Sequence, residues 1–194
     1  MSSNQKATTS DLPVGVVGLG LMGCSIATCL LIAGHPVVAI APIEADLNHA
    51  EKRIQTHLIK SREEGLTGKM PETLLKNLVI TMDYAALADC TLVIECTLED
   101  LAIKKAVYAK IEAVINAGTL LTSNTSAIPI SILQQQTKHP ERFFGLHWAE
   151  PSHTTRFLEI ICGEASDVSK GEYLYGLSQG WGKEPTLVRK DIRG

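Results

Sequence analysis

Short apolar runs separated by longer stretches of mixed polarity form the dominant pattern of the 194-residue sequence. Runs of four or five residues have the length of buried strands. Strands that alternate with helices are joined by right-handed crossovers and pair in parallel. The pattern therefore predicts an α/β protein with a mainly parallel sheet. Its expected strands are residues 13–17, 37–41, 78–81, 92–96 and 119–122.

Three segments between these runs have the character of helices. Residues 21–33 are apolar and end at Gly34, a residue favoured after helix C-termini. Residues 44–64 mix apolar and charged side chains, which predicts a helix with an exposed face. A third helix is predicted over 101–115. Its expected buried face consists of Leu101, Val107, Ile111 and Val114.

The alternation changes after Pro140. FFGLH, at residues 143–147, and RFLEII, at 156–161, are two strand-like runs close together, and PTLVRK follows at 185–190. These runs predict a β-rich C-terminal extension of the parallel sheet.

An uncharged stretch from Leu12 to Ile43 is long enough to span a bilayer. Glycines and a proline interrupt it at turn spacing, which favours a buried strand, helix and strand instead. Apolar residues make up 45% of the sequence and charged residues 20%, as in globular proteins. The net charge of −3 and the absence of a basic run argue against nucleic acid or a membrane as a partner.

The five cysteines lie in apolar segments without a CxxC pair, which predicts free thiols in a cytoplasmic protein. The six histidines show no HxH or HExxH spacing, so no metal site is expected. His147, Glu150 and His153 are close in sequence, but such a loop is usually solvated.

The sequence GLGLMG lies between the first predicted strand and the first predicted helix. In that context GxGxxG is typical of the dinucleotide-binding turn of a Rossmann-type doubly wound sheet. Its glycines allow a tight turn, close approach of the pyrophosphate and close packing of helix on strand, and the helix N-terminus attracts the phosphates. A glycine-rich turn without a ligand is the alternative. The expected cofactor-binding residues are Gly18, Leu19, Gly20, Leu21, Met22 and Gly23.

The second predicted strand ends in Ala41, where such strands usually end in an acid that binds the adenosine ribose of NAD and repels the 2′-phosphate of NADP. The nearest charged residues, Glu44 and Asp46, oppose a phosphate. Lys52 and Arg53 lie roughly two to three helical turns further on. The sequence therefore predicts NAD as the cofactor, preferred over NADP by a smaller margin than usual.

His147 ends one strand of the extension, and Glu159 lies among apolar neighbours in the next. A buried carboxylate is costly without a partner. If the strands are neighbours, Glu159 can fix the tautomer of His147 and leave its other nitrogen free as a base. A structural hydrogen bond, or a glutamate that faces water, is the alternative.

SNTS, residues 123–126, follows a predicted strand at the carboxyl edge of the sheet, where ligands bind. Ser126 can there contact a substrate oxygen. The alternative is a polar turn that caps a helix beginning near Pro129.

Together these segments resemble the NAD-binding domain of the 3-hydroxyacyl-CoA dehydrogenase family, in family order over about residues 13–194. The series SNTS, GLH and FLEII is specific, since the 3-hydroxyisobutyrate dehydrogenase family shares the glycine turn but lacks this series. The resemblance implies NAD-dependent hydride transfer between a 3-hydroxyacyl-CoA, or a related 3-hydroxy acid, and its 3-keto form. The matching segments are VGVVGLGLMGCSIA, LVIECTLEDLAIKKAVYAKI, TLLTSNTSAIPISIL, GLHWAEP, FLEII and GKEPTLVRKDIRG.

The resemblance also implies roles for single residues. His147 matches the catalytic base, Glu159 the acid that orients it, and Ser126 the serine that contacts substrate and cofactor. Glu99 and Lys104 match residues on the nicotinamide side, although spacing alone would make them an ordinary surface pair.

Several positions depart from the family pattern. Glu150, in HWAEP, replaces an asparagine near the carboxamide, and Ala41 replaces the ribose-binding acid. The positions that contact CoA fall on His57 and Glu64, in place of serine and lysine.

Two functions remain open from the sequence. The first is an oxidoreductase domain acting on a small-molecule substrate. Residues 1–12 are then a flexible tail and 13–194 the NAD-binding domain. The family's C-terminal helical domain, which carries a catalytic asparagine and forms the homodimer, has no counterpart here, so the isolated chain is expected to be weak or inactive. The second is a dinucleotide-binding module without turnover. Non-CoA dehydrogenases of the carnitine or gulonate type share much of the pattern.

Overall fold

The computed structural model describes residues 11–191, which contain one eight-stranded sheet with helices on both faces. The spatial order of the strands is β3-β2-β1-β4-β5-β6-β7-β8. Strands β1 to β6 are parallel, β7 is antiparallel to β6, and β8 is parallel to β7. The predicted doubly wound sheet with its extension is thus confirmed. The strands are β1 (Val14–Val17), β2 (Val37–Ile40), β3 (Leu78–Thr81), β4 (Leu92–Glu95), β5 (Leu120–Ser123), β6 (Phe143–Trp148), β7 (Phe157–Cys162) and β8 (Glu184–Val188).

Six α-helices within the described residues complete two layers around the sheet. They are α1 (Leu21–Ala33), α2 (Glu44–Glu63), α3 (Pro71–Leu75), α4 (Leu101–Glu112), α5 (Ile130–Gln134) and α6 (Val168–Gln179). One apolar core lies between the sheet and α1, α2, α3 and α6, and a second lies beneath α4 and α5. Gly34 ends α1 with a φ of 101°, as the sequence predicts. The sequence analysis does not predict α6, which buries Leu174 and Leu177 but has few apolar positions.

The predicted buried face of α4 is partly wrong. Leu101 is 39% exposed and Val114 is only partly buried. The residues that α4 buries are Lys104, Val107, Tyr108 and Ile111. Hydrophobic periodicity missed the lysine because its burial depends on a charge partner in another element.

The uncharged N-terminal stretch forms β1, α1 and β2 in the interior of the sheet. Within residues 11–191, no helix has both the length and the apolarity needed to cross a membrane. All five cysteines are free, and Cys96 alone among them is partly exposed. The predicted tail, residues 1–12, lies mostly outside the described residues, but Leu12 packs on the core and its carbonyl oxygen accepts a hydrogen bond from His35.

The order of the strands positions a ligand site. Successive crossovers lead from β1 towards β2 on one side and towards β4 on the other. At such a switch point the connections diverge and leave a crevice at the carboxyl edge of the sheet. The glycine turn, the SNTS turn and the end of β6 all lie at this edge.

Candidate active site

The glycine turn between β1 and α1 is built for close packing on one side and open space on the other. Gly18 has a φ of 99°, and a Cβ there would lie 2.7 Å from the carbonyl oxygen of Cys96. A Cβ on Gly23 would lie 1.8 Å from the carbonyl oxygen of Gly18. At Gly20, by contrast, a Cβ would have no heavy atom within 4 Å. Only the second glycine therefore leaves space in front of the helix.

The N-terminus of α1 fits a phosphate group. Gly20 is the N-cap, so no side chain caps the helix, and the first turn has no acidic residue. Its first N–H groups therefore face the space above Gly20, as anion binding requires. Beside it lies a largely apolar pocket of about 320 Å³ that suits an adenosine group. Its lining includes Gly18, Gly20, Pro42, Ile43, Asp46 and Leu98.

The other predicted cofactor contacts have different surroundings. The side chain of Leu19 is buried in the core, Met22 is partly buried, and Leu21 is 66% exposed. Ala41 has no exposed surface, and Pro42 and Ile43 line the pocket in its place. The end of β2 thus offers the adenosine ribose no polar side chain at the position of Ala41.

Arg53 reaches this turn from α2. One guanidinium nitrogen donates a hydrogen bond of 3.2 Å to the carbonyl oxygen of Leu19 and lies 3.9 Å from the sulfur of Cys24. Its distance from Ala41 along the sequence concealed this, because α2 folds back over the start of α1 and the two helices pack together. Arg53 thus lies at the glycine turn, a contact that the sequence did not predict.

His147 and Glu159 are direct partners across the antiparallel strands β6 and β7. His147 Nδ1 lies 2.9 Å from Glu159 Oε2, and His147 Nε2 lies 3.1 Å from Ser126 Oγ. The histidine side chain is 27% exposed and the glutamate 33%, so the pair is open to solvent. The three residues line a cavity of about 260 Å³ together with Ile128, Ile161 and Asp191.

Glu99 holds the turn that carries Ser126. Its Oε1 accepts hydrogen bonds from the Thr125 hydroxyl at 2.5 Å and from the N–H groups of Ser126 and Ala127 at 3.0 and 2.9 Å. Burial opposes its charge, but these bonds and the ammonium group of Lys104 outweigh burial and lower the pKa of Glu99. Ser126 does not cap α5, whose N-cap is Pro129 without a side-chain bond.

Lys104, which was expected to contact the cofactor, is buried instead. The side chain has no exposed surface, so it cannot touch a cofactor. Its Nζ lies 3.0 Å from both carboxylate oxygens of Glu95 and 3.4 Å from Glu99 Oε2. Ser123 and Tyr108 also hydrogen-bond to Glu95, at 2.7 and 3.1 Å. Lys104 therefore supports Glu99 from below, and the Glu99–Lys104 pair is not the surface pair suggested by spacing, because Lys104 is buried.

Sequence reasoning missed Glu95, although the signal was present. It is a carboxylate inside the apolar strand LVIEC, the same kind of observation that pointed to Glu159. Asn124 was also missed. Its Oδ1 accepts a hydrogen bond of 3.0 Å from the N–H of Trp148, which ties the SNTS turn to the end of β6.

Glu150 follows β6 and lies beside α1. Burial raises the pKa of its carboxyl group, and hydrogen bonds from the Ser25 hydroxyl and the Ser152 N–H oppose this shift. The Ser25 hydroxyl also accepts a bond of 2.7 Å from Ser152 N–H and lies 3.0 Å from His153 Nδ1. The loop after β6 is thus attached to the second turn of α1. In the part of the chain that the structure describes, no group of His, Cys, Asp and Glu is arranged to hold a metal ion.

The family follows from a comparison with known proteins. The model of the 3-hydroxyacyl-CoA dehydrogenase, NAD binding domain, matches residues 13–192. The chain belongs to this family. Membership in this NAD-binding family confirms the predicted fold and the predicted cofactor, NAD.

Relatives of the dehydrogenase domain agree with this assignment. The 3-hydroxyadipyl-CoA dehydrogenase of Escherichia coli (strain K12) is 37% identical over 173 residues, which are 89% of this chain and 36% of the relative. The crystal structure of M. tuberculosis FadB2 superposes with a TM-score of 0.87 at 33% identity, over 93% of this chain and 64% of that one. The 3-hydroxybutyryl-CoA dehydrogenase of E. coli K12 gives a TM-score of 0.85 at 35% identity, over 91% and 38%. The chain thus spans between about a third and two thirds of these proteins.

Proposed function

We propose that this chain carries the cofactor site and the proton-transfer group of an NAD-dependent oxidoreductase that interconverts a 3-hydroxyacyl-CoA, or a related 3-hydroxy acid, and its 3-keto form. The observation that supports this proposal most strongly is the chain of hydrogen bonds from Glu159 through His147 to Ser126 at the carboxyl edge of the sheet. A structural His–Glu pair would not need an open cavity or a hydroxyl group on the second ring nitrogen.

The proposed chemistry divides between cofactor and protein. NAD, when bound, supplies a hydride acceptor for C3 of the substrate. The glycine turn binds the phosphates, and Ser126 Oγ and His147 Nε2 converge on the substrate oxygen. Glu159 accepts a hydrogen bond from Nδ1–H of His147, which leaves Nε2 free to take the hydroxyl proton. The carboxylate then stabilises the imidazolium ion that forms. In the reverse direction His147 returns this proton.

The relatives support the class of substrate. Two of them are named for 3-hydroxyacyl-CoA thioesters, 3-hydroxyadipyl-CoA and 3-hydroxybutyryl-CoA. The length of the acyl chain is not part of the proposal. The glycine turn and the pocket beside it are also what a second candidate, a dinucleotide-binding module without turnover, requires.

The proposal is tested by turnover and cofactor titration of wild type and His147→Gln, both as the full-length protein. We expect the variant to lose about a hundredfold or more in turnover of 3-hydroxybutyryl-CoA with NAD, the usual cost of a lost general base. Its Kd for NADH, measured by fluorescence, stays unchanged. The control is His139→Gln, since His139 is 48% exposed and pairs only with the exposed Glu141.

Three outcomes separate the candidates. Loss of turnover with intact NADH binding supports the proposal. A His147→Gln variant that keeps most of the activity removes His147 from the mechanism. A full-length protein that binds NADH but turns over no substrate supports the module without turnover.

A further inference from the structure

The position of the nicotinamide half of the cofactor follows from the two ends of the site. The adenosine pocket lies on the β2 side of the glycine turn, and the phosphates belong at the N-terminus of α1. The hydride acceptor must lie next to the carbon whose oxygen reaches His147 and Ser126. The nicotinamide ring therefore occupies the space between the first turns of α1 and the end of β6.

Glu150 borders this same space. It lies three residues after His147, and two residues further on the N–H of Ser152 donates a hydrogen bond of 2.7 Å to the Ser25 hydroxyl in the second turn of α1. Its charge is also close enough to act on the neighbouring thiol of Cys24. The loop that carries Glu150 thus lies between the start of α1 and the end of β6.

Glu150 differs from Glu99 because it has no ion pair. The Glu99 carboxylate lies 3.4 Å from the ammonium group of Lys104, whereas no ion pair within residues 11–191 involves Glu150. The residue is exposed, and its neighbours Ser25 and the Ser152 N–H are neutral.

A negative charge at this place distinguishes the two forms of the cofactor. The nicotinamide ring is positively charged in NAD+ and neutral in NADH, while the rest of the molecule is the same. A carboxylate beside the ring attracts the oxidised form only, whereas its repulsion of the phosphates acts on both forms equally.

We propose that Glu150 sets the oxidation-state preference of the site, so that NAD+ binds more tightly relative to NADH than it would beside a neutral residue. The inference rests on the proposed function, because it requires the nicotinamide ring to lie next to His147. The consequence is that NADH leaves the site more readily, and that the enzyme-bound equilibrium is shifted towards NAD+ and the 3-hydroxy form of the substrate, while the equilibrium in solution is unchanged.

The test compares the dissociation constants of NAD+ and NADH for wild type and Glu150→Gln by calorimetric titration. At about 6 Å and an effective dielectric constant of about 20, a unit charge pair is strong enough to change the ratio of Kd(NAD+) to Kd(NADH) by about tenfold or more. We expect this ratio to rise by that factor in Glu150→Gln. Glu150→Asn, a second neutral variant, should show a rise of similar size.

The matched control is Asp46→Asn. Asp46 lines the adenosine pocket of the same cofactor, far from the ring. Removal of its charge should change both dissociation constants by the same factor and leave the ratio as in wild type.

The outcomes separate this inference from the proposed function. Equal changes for NAD+ and NADH in both Glu150 variants, or no change, would overturn the inference and leave the cofactor site in place. If wild type bound neither form, the proposed function would fail first. Thermal unfolding of each variant shows whether it is folded, and the exposed position of Glu150 predicts that it is.

Discussion

Two strands of the same sheet each carry a glutamate among apolar neighbours, and the two glutamates have different surroundings. Glu95 on β4 and its partner Lys104 have no exposed surface, and Ser123 and Tyr108 complete the hydrogen bonds. Glu159 on β7 and its partner His147 are 33% and 27% exposed and face a cavity. The closed pair can stabilise the fold but cannot reach a substrate. The open pair is only partly buried, and Nε2 of His147 stays available for proton transfer.

The closed pair also helps to position the residues around the open pair. Lys104 lies between Glu95 and Glu99, and Glu99 fixes the backbone of the turn that places Ser126 next to His147. Charge buried under the sheet edge is therefore connected to the proposed proton-transfer group through one turn. Variants of the two pairs should differ in what they damage, stability in one case and turnover in the other.

The largest expected effect is on the closed pair. Lys104→Met leaves the carboxylate of Glu95 buried without a cation, so we expect a loss of about 3–5 kcal/mol in the free energy of unfolding. Urea denaturation followed by circular dichroism measures it. Lys105→Met is the matched control on the same helix, because Lys105 is exposed, and it should stay within about 0.5 kcal/mol of wild type. Equal stability of the two variants would mean that the buried pair contributes nothing.

For the open pair we expect a smaller effect, and we expect it on turnover and not on stability. Glu159→Gln keeps a hydrogen-bond acceptor for Nδ1–H but loses the charge that stabilises the imidazolium ion. We expect turnover to fall roughly ten- to a hundredfold, the scale of one hydrogen bond to a charged group, with little change in stability. Glu184→Gln, on the neighbouring strand with a glutamate side chain that is 68% exposed, should keep wild-type turnover. Unchanged turnover in Glu159→Gln would make Glu159 a structural residue.

Much of the fold and part of the site could be predicted because their signals are local. The strand, glycine turn and helix at residues 14–33 follow from apolar runs and glycine spacing alone. The contact between His147 and Glu159 could be anticipated because two strands close in sequence, each with an ionisable residue, tend to be neighbours.

The remainder depends on how different elements of the fold pack against each other. Lys104 has the appearance of a surface residue until β4 places Glu95 beneath it. Arg53 appears remote from the glycine turn until α2 packs on α1. Hydrophobic periodicity also assigned Leu101 to the interior, although it lies in the first turn of α4 at the open edge of the sheet. In each case the position of the residue relative to other elements of the fold decides its surroundings.

The central claim is that Glu159 acts through His147 as one proton-transfer unit, and a double-mutant cycle tests it most directly. Turnover of 3-hydroxybutyryl-CoA with NAD is measured for wild type, His147→Gln, Glu159→Gln and the double variant, with NADH affinity as the check on the cofactor site. If the two residues form a unit, the double variant loses no more activity than His147→Gln alone, because Glu159 has no role once the imidazole is gone. If the two losses multiply in the double variant, Glu159 acts independently of His147 and the account of the site is wrong.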